Sequence, residues 1–215
     1  MTTVACVWVK GNVPYGVEYV AKLRGMVARH LSQPFRFVCL TDRPELLPAN
    51  VEGIKVALPK GLFGWWAKIQ LFNRVNGLTG RVLYLDLDTL VVSDLQPVVD
   101  YPAPFALIPH AGTFNGKDGL AVVKRFNSSV MVWDAGTQDH IYDLWTPKTA
   151  ERLWGDQDSI GERCPNAATF PAEWFPRLSE LNGRQPDAPV KVVLAKKPKN
   201  EVAAQQWPWF REAWA

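Results

Sequence analysis

Residues 81–90 read RVLYLDLDTL, an apolar run that is followed directly by two aspartates, Asp86 and Asp88. Burying one carboxylate without a partner costs several kcal/mol, so an acidic pair at the end of an apolar strand indicates a cation nearby. In an extended segment Asp86 and Asp88 would point to the same side and approach one ion together. Hard oxygen ligands of this kind suit Mg²⁺ or Mn²⁺, which would also bridge phosphate oxygens. The alternative is a solvated turn in which the aspartates are only turn formers or helix caps.

Strand and helix patterns alternate in the chain before this segment. Apolar runs typical of strands lie at 3–9, 35–40, 54–57 and 81–85, and apolar residues at helical spacing lie at 17–31 and 65–75. This order predicts an α/β protein with a mainly parallel twisted sheet that is flanked by helices. In such sheets ligands bind outside the carboxyl ends of the strands. The active site is therefore expected along one rim that holds Val9, Thr41 and Asp86.

The second half of the chain is predicted to add elements to the same sheet. Strands are expected at 104–108, 128–133 and 190–194, helices at 137–146 and 156–163, and a helix or turn at 207–214. Residues 165–189 are rich in proline. The sequence holds no internal repeat. Because the second half looks like additions to the same sheet, we expect one domain over residues 1–215 with a small mixed C-terminal extension.

Composition and charge exclude several classes of function. The chain has 24 basic and 21 acidic residues, a balance that does not indicate binding to nucleic acid. No apolar run is long enough for a membrane span, and the N-terminal pattern is not that of a signal peptide. Cys6, Cys39 and Cys164 lack the spacing of a zinc site, and we expect inert thiols. These features predict a cytoplasmic protein.

Tryptophan is abundant, with ten residues in the chain. Five of them lie in two short stretches, namely Trp65, Trp66, Trp207, Trp209 and Trp214. A tryptophan ring offers a flat surface on which sugars or bases stack, but it also fills protein cores. The sequence leaves both roles open.

Four segments, in order along the chain, resemble motifs of the GT-A fold glycosyltransferases. The resemblance is closest to the retaining family-8 type, which includes glycogenin and bacterial galactosyl- and glucosyltransferases. The segments are WWAK at 65–68, DLDTLV at 86–91, FNSSVM at 126–131 and GDQD at 155–158. They match an aromatic-rich turn with a lysine, a DxD segment, an FNSG-type strand and a GDQ motif. The resemblance implies a metal-dependent enzyme that takes a nucleotide sugar, with UDP as the nucleotide.

The resemblance also implies roles for residues at the donor diphosphate. Asp86 would lie near the ribose and the metal, and Asp88 would ligate the metal. Lys68 would offer a cation to the sugar or the diphosphate, unless it is a solvated helix lysine. Tyr15, in the loop after the first strand, could stack on the base, and Val9 at the end of that strand would line the same site.

A second group of residues would contact the transferred sugar. By resemblance, Asn127 and Ser128 would hydrogen-bond the sugar near its reactive carbon, and Asp156 and Gln157 would orient it as catalytic residues. The alternative for Asn127 and Ser128 is that they are only polar residues at a strand end. Asp156 could instead be the N-cap of a helix, because it directly precedes one.

One segment departs from the family pattern. The family has a histidine after the final strand as a third metal ligand, whereas the corresponding stretch here, 192–199, reads VVLAKKPK. Ala195 or a neighbour takes the histidine's place, so the third protein ligand is uncertain. We expect Lys196 or Lys197 to reach the diphosphate and replace part of the metal's charge, and the alternative is a solvated turn.

The sequence thus predicts transfer of a hexose, with retention by a same-face displacement, to a glycan, lipid or protein acceptor that it does not identify. A catalytically silent nucleotide-sugar-binding protein is the alternative that the missing histidine suggests. A nucleotidyltransferase or phosphatase would need a glycine-rich phosphate loop, and residues 11–14, GNVP, are too poor in glycine. A carbohydrate-binding module would explain the tryptophans but not the aspartate pair.

Overall fold

The computed structural model describes residues 1–10, 15–57, 62, 64–195 and 199–215. The strands are β1 Thr2–Trp8, β2 Phe35–Thr41, β3 Glu52–Lys55, β4 Arg81–Leu85, β5 Thr89–Val91, β6 Phe105–Asn115, β7 Ala121–Asp134, β8 Ala168–Thr169 and β9 Val192–Leu194. The α-helices are α1 Val17–His30, α2 Gln96–Val99, α3 His140–Asp143, α4 Pro147–Arg152, α5 Asp156–Arg163, α6 Leu178–Leu181, α7 Lys199–Gln206 and α8 Pro208–Trp214. Segments of 3₁₀ helix are Pro44–Leu46, Gly64–Phe72, Arg74–Asn76 and Ala172–Trp174.

Most strands belong to one sheet. In the described part of the chain its order is β3-β2-β1-β4-β7-β6-β8, and β5 pairs with β9 in a separate two-stranded sheet. The first four strands are parallel, β7 is antiparallel to β4, and β6 is antiparallel to β7. The α/β class and the parallel first half are as predicted, and the later strands join the same sheet as expected. The carboxyl ends of β1, β2 and β4 meet at one rim.

The core lies on both faces of this sheet because successive strand residues point in opposite directions. Leu83 and Leu85 of β4 pack in a cluster with helix α1 and the C-terminal helices. Val82 and Tyr84 pack on the other side with the 3₁₀ segment Gly64–Phe72 and with α5. Helices therefore cover both faces, as the predicted architecture requires.

The buried thiols predicted for Cys6 and Cys39 are confirmed, and Cys164 is also free and buried. Among the described residues, no helix has the length and apolar character that crossing a bilayer requires.

The segment predicted as a helix at 65–75 is a 3₁₀ helix that ends at Phe72. Side chains three residues apart are aligned in a 3₁₀ helix. One row, Trp66, Ile69 and Phe72, is buried in the core below the sheet. The next row begins with Trp65 and Lys68, which both face a cavity. This tighter winding lets one short segment fill the core and line the site.

Several predicted elements differ in length from those in the structure. The strands expected at 104–108 and 128–133 are parts of the long hairpin of β6 and β7, whose outer halves mix polar and apolar residues and pair with each other. The helix expected at 137–146 is reduced to α3. The last strand begins at Val192, and two short helices follow it, separated near Trp207.

Candidate active site

Asp86 and Asp88 lie in a turn that directly follows β4. The backbone N–H of Asp86 donates to Ser129 O at 2.8 Å, which fixes the turn to β7. Thr89 closes the turn, because its N–H and its hydroxyl both donate to Asp86 O, at 3.2 and 2.7 Å. Residues 86–88 therefore form a turn and are not extended. Leu87 is buried in the core, while the two aspartates line the same cavity.

Lys68 is the centre of an ion-pair network with two of the carboxylates. Its Nζ lies 2.9 Å from Asp86 Oδ1 and 3.4 Å from Asp156 Oδ2. Burial alone would lower the pKa of Lys68, but Asp156 and Asp86 outweigh it and hold the pKa above its ordinary value. The alternative that Lys68 is a solvated helix lysine is wrong, since only 8% of the residue is exposed.

Ser128 links the lysine to the acidic end of helix α5. Its hydroxyl accepts from Lys68 Nζ at 3.1 Å and donates to Asp156 Oδ2 at 2.7 Å. Asp156 is buried, which raises the pKa of its carboxyl group against the opposing effect of Lys68. Asp156 is also not the N-cap of its helix. That position is Gly155, whose N–H donates to Asp158 Oδ2 at 3.2 Å.

Tyr84 and Tyr15 each place a hydroxyl against one aspartate of the turn. Tyr84 donates to Asp86 Oδ1 at 2.6 Å, and Tyr15 donates to Asp88 Oδ2 at 2.8 Å. Burial, reinforced by these carboxylates, raises the pKa of both phenols. Both tyrosines are therefore neutral donors at physiological pH.

Of the two aspartates in the turn, Asp88 is the one whose negative charge is less balanced by nearby cations. Burial, and then the negative charge of Asp86, raise the pKa of Asp88 to about 6. No lysine, arginine or histidine in the described residues forms an ion pair with it. A carboxylate held in this way favours an added cation.

A cavity of about 770 Å³ opens at this rim of the sheet. Its size lies within the range of small-molecule sites. Residues predicted for the site that line it are Tyr15, Lys68, Asp86, Asp88, Asn127, Ser128, Asp156 and Gln157. Asn127 also accepts from the N–H of Ser129 at 2.8 Å, which fixes its side chain against the strand end. The structure thus brings the four motif segments to one place.

A second, smaller space of about 160 Å³ adjoins the first. The two share Tyr15, Lys68 and the acidic turn, and Val9 lines the smaller one. The rim predicted from strand order therefore lies at these two spaces. Thr41 pairs with Trp8 one strand away and is fully buried, so it does not line them.

The C-terminal part of the site is described only in part. Ala195 lines the larger cavity next to Leu194, and Lys199 lines it from the start of α7. Lys196 and Lys197 lie outside the described residues, so their contact with the diphosphate stays a prediction. Asn200 is fully buried, and its amide donates to Asp88 O at 3.1 Å.

Sequence reasoning missed several lining residues. Lys124 lies in the part of β7 that was not predicted, and Arg177 lies in the proline-rich stretch. Trp154 lies just before the GDQD motif, is 55% exposed and lines the cavity, but no sequence pattern around it indicated a role. The only available signal was the abundance of tryptophan.

No cluster of three or more histidine, cysteine or carboxylate side chains suited to a metal occurs within residues 1–10, 15–57, 62, 64–195 and 199–215. The donors available at the turn are the two carboxylates of Asp86 and Asp88. Any metal bound there would need further ligands from substrate or water.

No protein-family model matches the sequence, and comparison with curated proteins gives no match. The solved structure of galactosyltransferase LgtC in complex with donor and acceptor sugar analogs is similar, with a TM-score of 0.65 and 16% identity, over 91% of this chain and 87% of that one. Glycosyltransferase GlyE of Streptococcus pneumoniae TIGR4 has a TM-score of 0.62 and 14% identity, over 100% of this chain but only 62% of GlyE. The chain therefore has the GT-A glycosyltransferase fold that its motifs predicted.

Proposed function

We propose that this chain is a glycosyltransferase that moves a hexose from a nucleotide sugar, a UDP-sugar, to an acceptor hydroxyl with retention. One observation carries the proposal. The segments 65–68, 86–91, 126–131 and 155–158 meet in a single buried network at the wall of one cavity. That cavity lies at the carboxyl ends of the parallel strands, where such sheets bind ligands.

A divalent metal, Mg²⁺ or Mn²⁺, fits the oxygen donors of the acidic turn. The raised pKa of Asp88 marks a negative charge without a cationic partner among the described residues. Sites for such metals commonly use one or two carboxylates and take their other ligands from phosphate and water. We therefore assign Asp86 and Asp88 as the protein ligands. When bound there, the metal would neutralise charge that develops on the diphosphate.

The protein's own residues supply fixed charge and orientation. In the proposed step the bond from sugar C1 to the diphosphate oxygen breaks, and its electron pair stays on the diphosphate. The acceptor oxygen bonds to C1 from the same face, and its proton passes to a diphosphate oxygen. Lys68, held in place by Asp86 and Asp156, is a preorganised positive charge beside the leaving group. Gln157, on the cavity wall, orients the sugar.

Three cationic side chains that line the cavity favour an anionic donor. Lys124, Arg177 and Lys199 line the cavity together with the acidic turn. A diphosphate in the cavity would be neutralised both by a metal at the turn and by these side chains. The smaller space beside Tyr15 and Val9 has room for a flat ring, and we assign it to the nucleotide base.

A catalytically silent nucleotide-sugar-binding protein is the second candidate. It is favoured by Ala195, which lines the cavity in the stretch where the family has its histidine. Such a protein would keep the cavity and its charges but would hold the metal too weakly for turnover.

Release of nucleoside diphosphate from UDP-glucose, UDP-galactose, GDP-mannose and ADP-glucose tests the proposal. We expect release from one of the UDP-sugars that depends on Mn²⁺ or Mg²⁺ and is lost in Asp88→Asn. The matched control is Asp187→Asn, which changes an exposed aspartate away from the cavity. Binding of a UDP-sugar that raises the melting temperature without any release of UDP would favour the silent protein. If no nucleotide sugar binds and no nucleoside diphosphate is released, both candidate functions are contradicted.

A further inference from the structure

Asn200 joins the C-terminal helices to the acidic turn. It lies in the first turn of α7 and is fully buried. Its Nδ2 donates to Asp88 O at 3.1 Å, across 112 residues of sequence. The bond has a direction, because a carbonyl oxygen only accepts and the amide must therefore present its NH₂ group. Helix α7 thus holds the main chain of a residue that the proposed function assigns to the metal.

The other half of the Asn200 amide costs the fold stability. Asn200 Oδ1 has no hydrogen-bond partner in the part of the chain that the structure describes. A buried polar atom without a partner is destabilising, whereas an apolar side chain at this position would leave no unpaired atom. Local arrangements that cost stability are typical of functional sites. The amide of Asn200 is therefore a candidate for a functional role.

Helices α7 and α8 are fixed on helix α1, so the Asn200 amide has a defined position. In α7, Glu201 Oε1 accepts from the hydroxyl of Tyr19 of α1 at 2.5 Å. In α8, the ring of Trp214 lies under the Lys22 ammonium group of α1, with 3.6 Å from Nζ to the ring centroid. These contacts fasten both C-terminal helices to an element that packs on the sheet. The donor to Asp88 O is therefore part of a rigid unit.

Asp88 is held at both its side chain and its main chain by residues from distant segments. Tyr15 donates to the carboxylate at 2.8 Å, and Asn200 donates to the carbonyl at 3.1 Å. The rings of Tyr15 and Tyr19 pack edge to face with centroids 5.0 Å apart, which connects the two supports. Because the turn offers a metal only the carboxylates of Asp86 and Asp88, the spacing of these two groups decides how well it holds the ion.

We infer that Asn200 is a positioning residue for the metal, because it fixes the backbone of Asp88 and with it the spacing of the two carboxylates. Asn200 lines neither the larger nor the smaller space, so it acts through Asp88 and not by contact with a substrate. The inference rests on the proposed function. It adds the C-terminal helices to a site whose other protein groups come from the four motif segments and from the end of β1.

Titration with Mn²⁺ alone tests the inference without donor or turnover. Free Mn²⁺ is measured by electron paramagnetic resonance at pH 7 for the unaltered protein, Asn200→Leu and Asn200→Ala. Both variants remove the donor to Asp88 O, and the second avoids the larger leucine side chain. We expect each to weaken Mn²⁺ binding about tenfold, since loss of a group that holds a metal ligand typically costs about 10–100-fold in affinity. A residue that only fastens α7 would lower the urea midpoint and leave the dissociation constant of the folded protein unchanged.

Two further comparisons separate positioning from a general loss of structure. Asn76→Leu is the matched control, because it likewise removes an amide that donates to a backbone carbonyl, Gln70 O at 2.7 Å, but lies away from both spaces. It should bind Mn²⁺ as the unaltered protein does. Glu201→Gln keeps an acceptor for the Tyr19 hydroxyl and should also bind Mn²⁺ normally, whereas Glu201→Ala loosens α7 and should weaken binding.

The inference is overturned if Asn200→Leu and Asn200→Ala bind Mn²⁺ as tightly as the unaltered protein, or if Asn76→Leu loses as much affinity as they do. It is also overturned if the unaltered protein binds no Mn²⁺. Failure of the proposed function has a different signature. The unaltered protein would then bind Mn²⁺ but would neither bind a UDP-sugar nor release UDP, and the comparison of the Asn200 variants would still be decisive.

Discussion

The hydroxyl of Tyr15 donates a 2.8 Å hydrogen bond to Oδ2 of Asp88, across 73 residues of sequence. This bond ties the segment that follows β1 to the acidic turn that follows β4. It also favours the ionised carboxylate, and so opposes the burial and the Asp86 charge that raise the pKa of Asp88. The ends of two strands of the sheet thus meet at Asp88, the residue that we propose as a metal ligand.

We predict that Tyr15→Phe shifts metal binding to higher pH. Without the hydroxyl, the pKa of Asp88 should rise above its value of about 6 in the unaltered protein. Protons would then compete with Mn²⁺ at a higher pH. Electron paramagnetic resonance of free Mn²⁺ across a pH series measures the midpoint. Tyr101→Phe, which removes a hydroxyl that donates to Thr169 O far from the turn, should leave it unchanged.

Asp88 should make the metal-free protein less stable as the pH rises. Its pKa is about 6 in the folded state, above the ordinary value of about 4. The folded state therefore binds more protons than the unfolded state between these values, and stability falls as pH increases through that window. Two pKa units correspond to about 3 kcal/mol, with no further loss above about pH 7.

Urea unfolding of the unaltered protein and of Asp88→Asn, from pH 4 to pH 7, checks this prediction. The asparagine amide does not titrate, so Asp88→Asn should gain stability relative to the unaltered protein as the pH rises from 4 to 7. Added Mn²⁺ should restore stability to the unaltered protein at pH 7, because it binds only the folded state. Equal pH dependence of the two proteins would show that Asp88 titrates normally.

Lys68→Met should destabilise the fold strongly. The methionine keeps most of the side-chain volume, but it leaves Asp86 and Asp156 without their cation in a site where Lys68 is 8% exposed. Removing one partner of a buried ion pair costs about 3–5 kcal/mol. Adding Asp156→Asn removes one of the uncompensated charges, so the double variant should recover part of the loss. Urea midpoints of the four proteins give the coupling energy.

The sequence predicted those parts of the fold that apolar runs encode. The runs at 35–40 and 81–85 became strands almost residue for residue, because strands buried on both faces are continuously apolar. The outer hairpin over 109–127 was missed, since its short apolar runs are interrupted by polar residues and glycines, and some of its residues line the cavity. That residues 1–215 form one domain stays a prediction.

The residues of the site were predicted from sequence motifs. The motifs do not encode the contacts that these residues make with one another. Nothing local distinguishes Lys68 from a surface lysine. Its burial follows from Asp86 and Ser128, which lie 18 and 60 residues away in the chain. The turn at Asp86 is closed by the hydrogen bonds of Thr89, which the sequence pattern does not show. The open ring of Trp154 depends in the same way on the distant hairpin.

Ser128→Ala directly tests the hydrogen-bond network that joins Lys68 to Asp156. Ser128 is 2% exposed, and its hydroxyl hydrogen-bonds to both Lys68 and Asp156, at 3.1 and 2.7 Å. Alanine keeps the backbone of β7 but leaves two charged partners short of a bond, at a cost of about 1–3 kcal/mol.

Ser129→Ala is the matched control for this substitution. The hydrogen bonds of Ser129 to Asn127 and Asp86 use its backbone N–H and carbonyl, which alanine retains. Urea unfolding should therefore show a loss for Ser128→Ala and little change for Ser129→Ala. Turnover of the UDP-sugar should fall in the first variant, because Lys68 and Asp156 lose the group that fixes their spacing. Equal stability and turnover in both variants would mean that the geometry around Lys68 is set by its ion pairs alone.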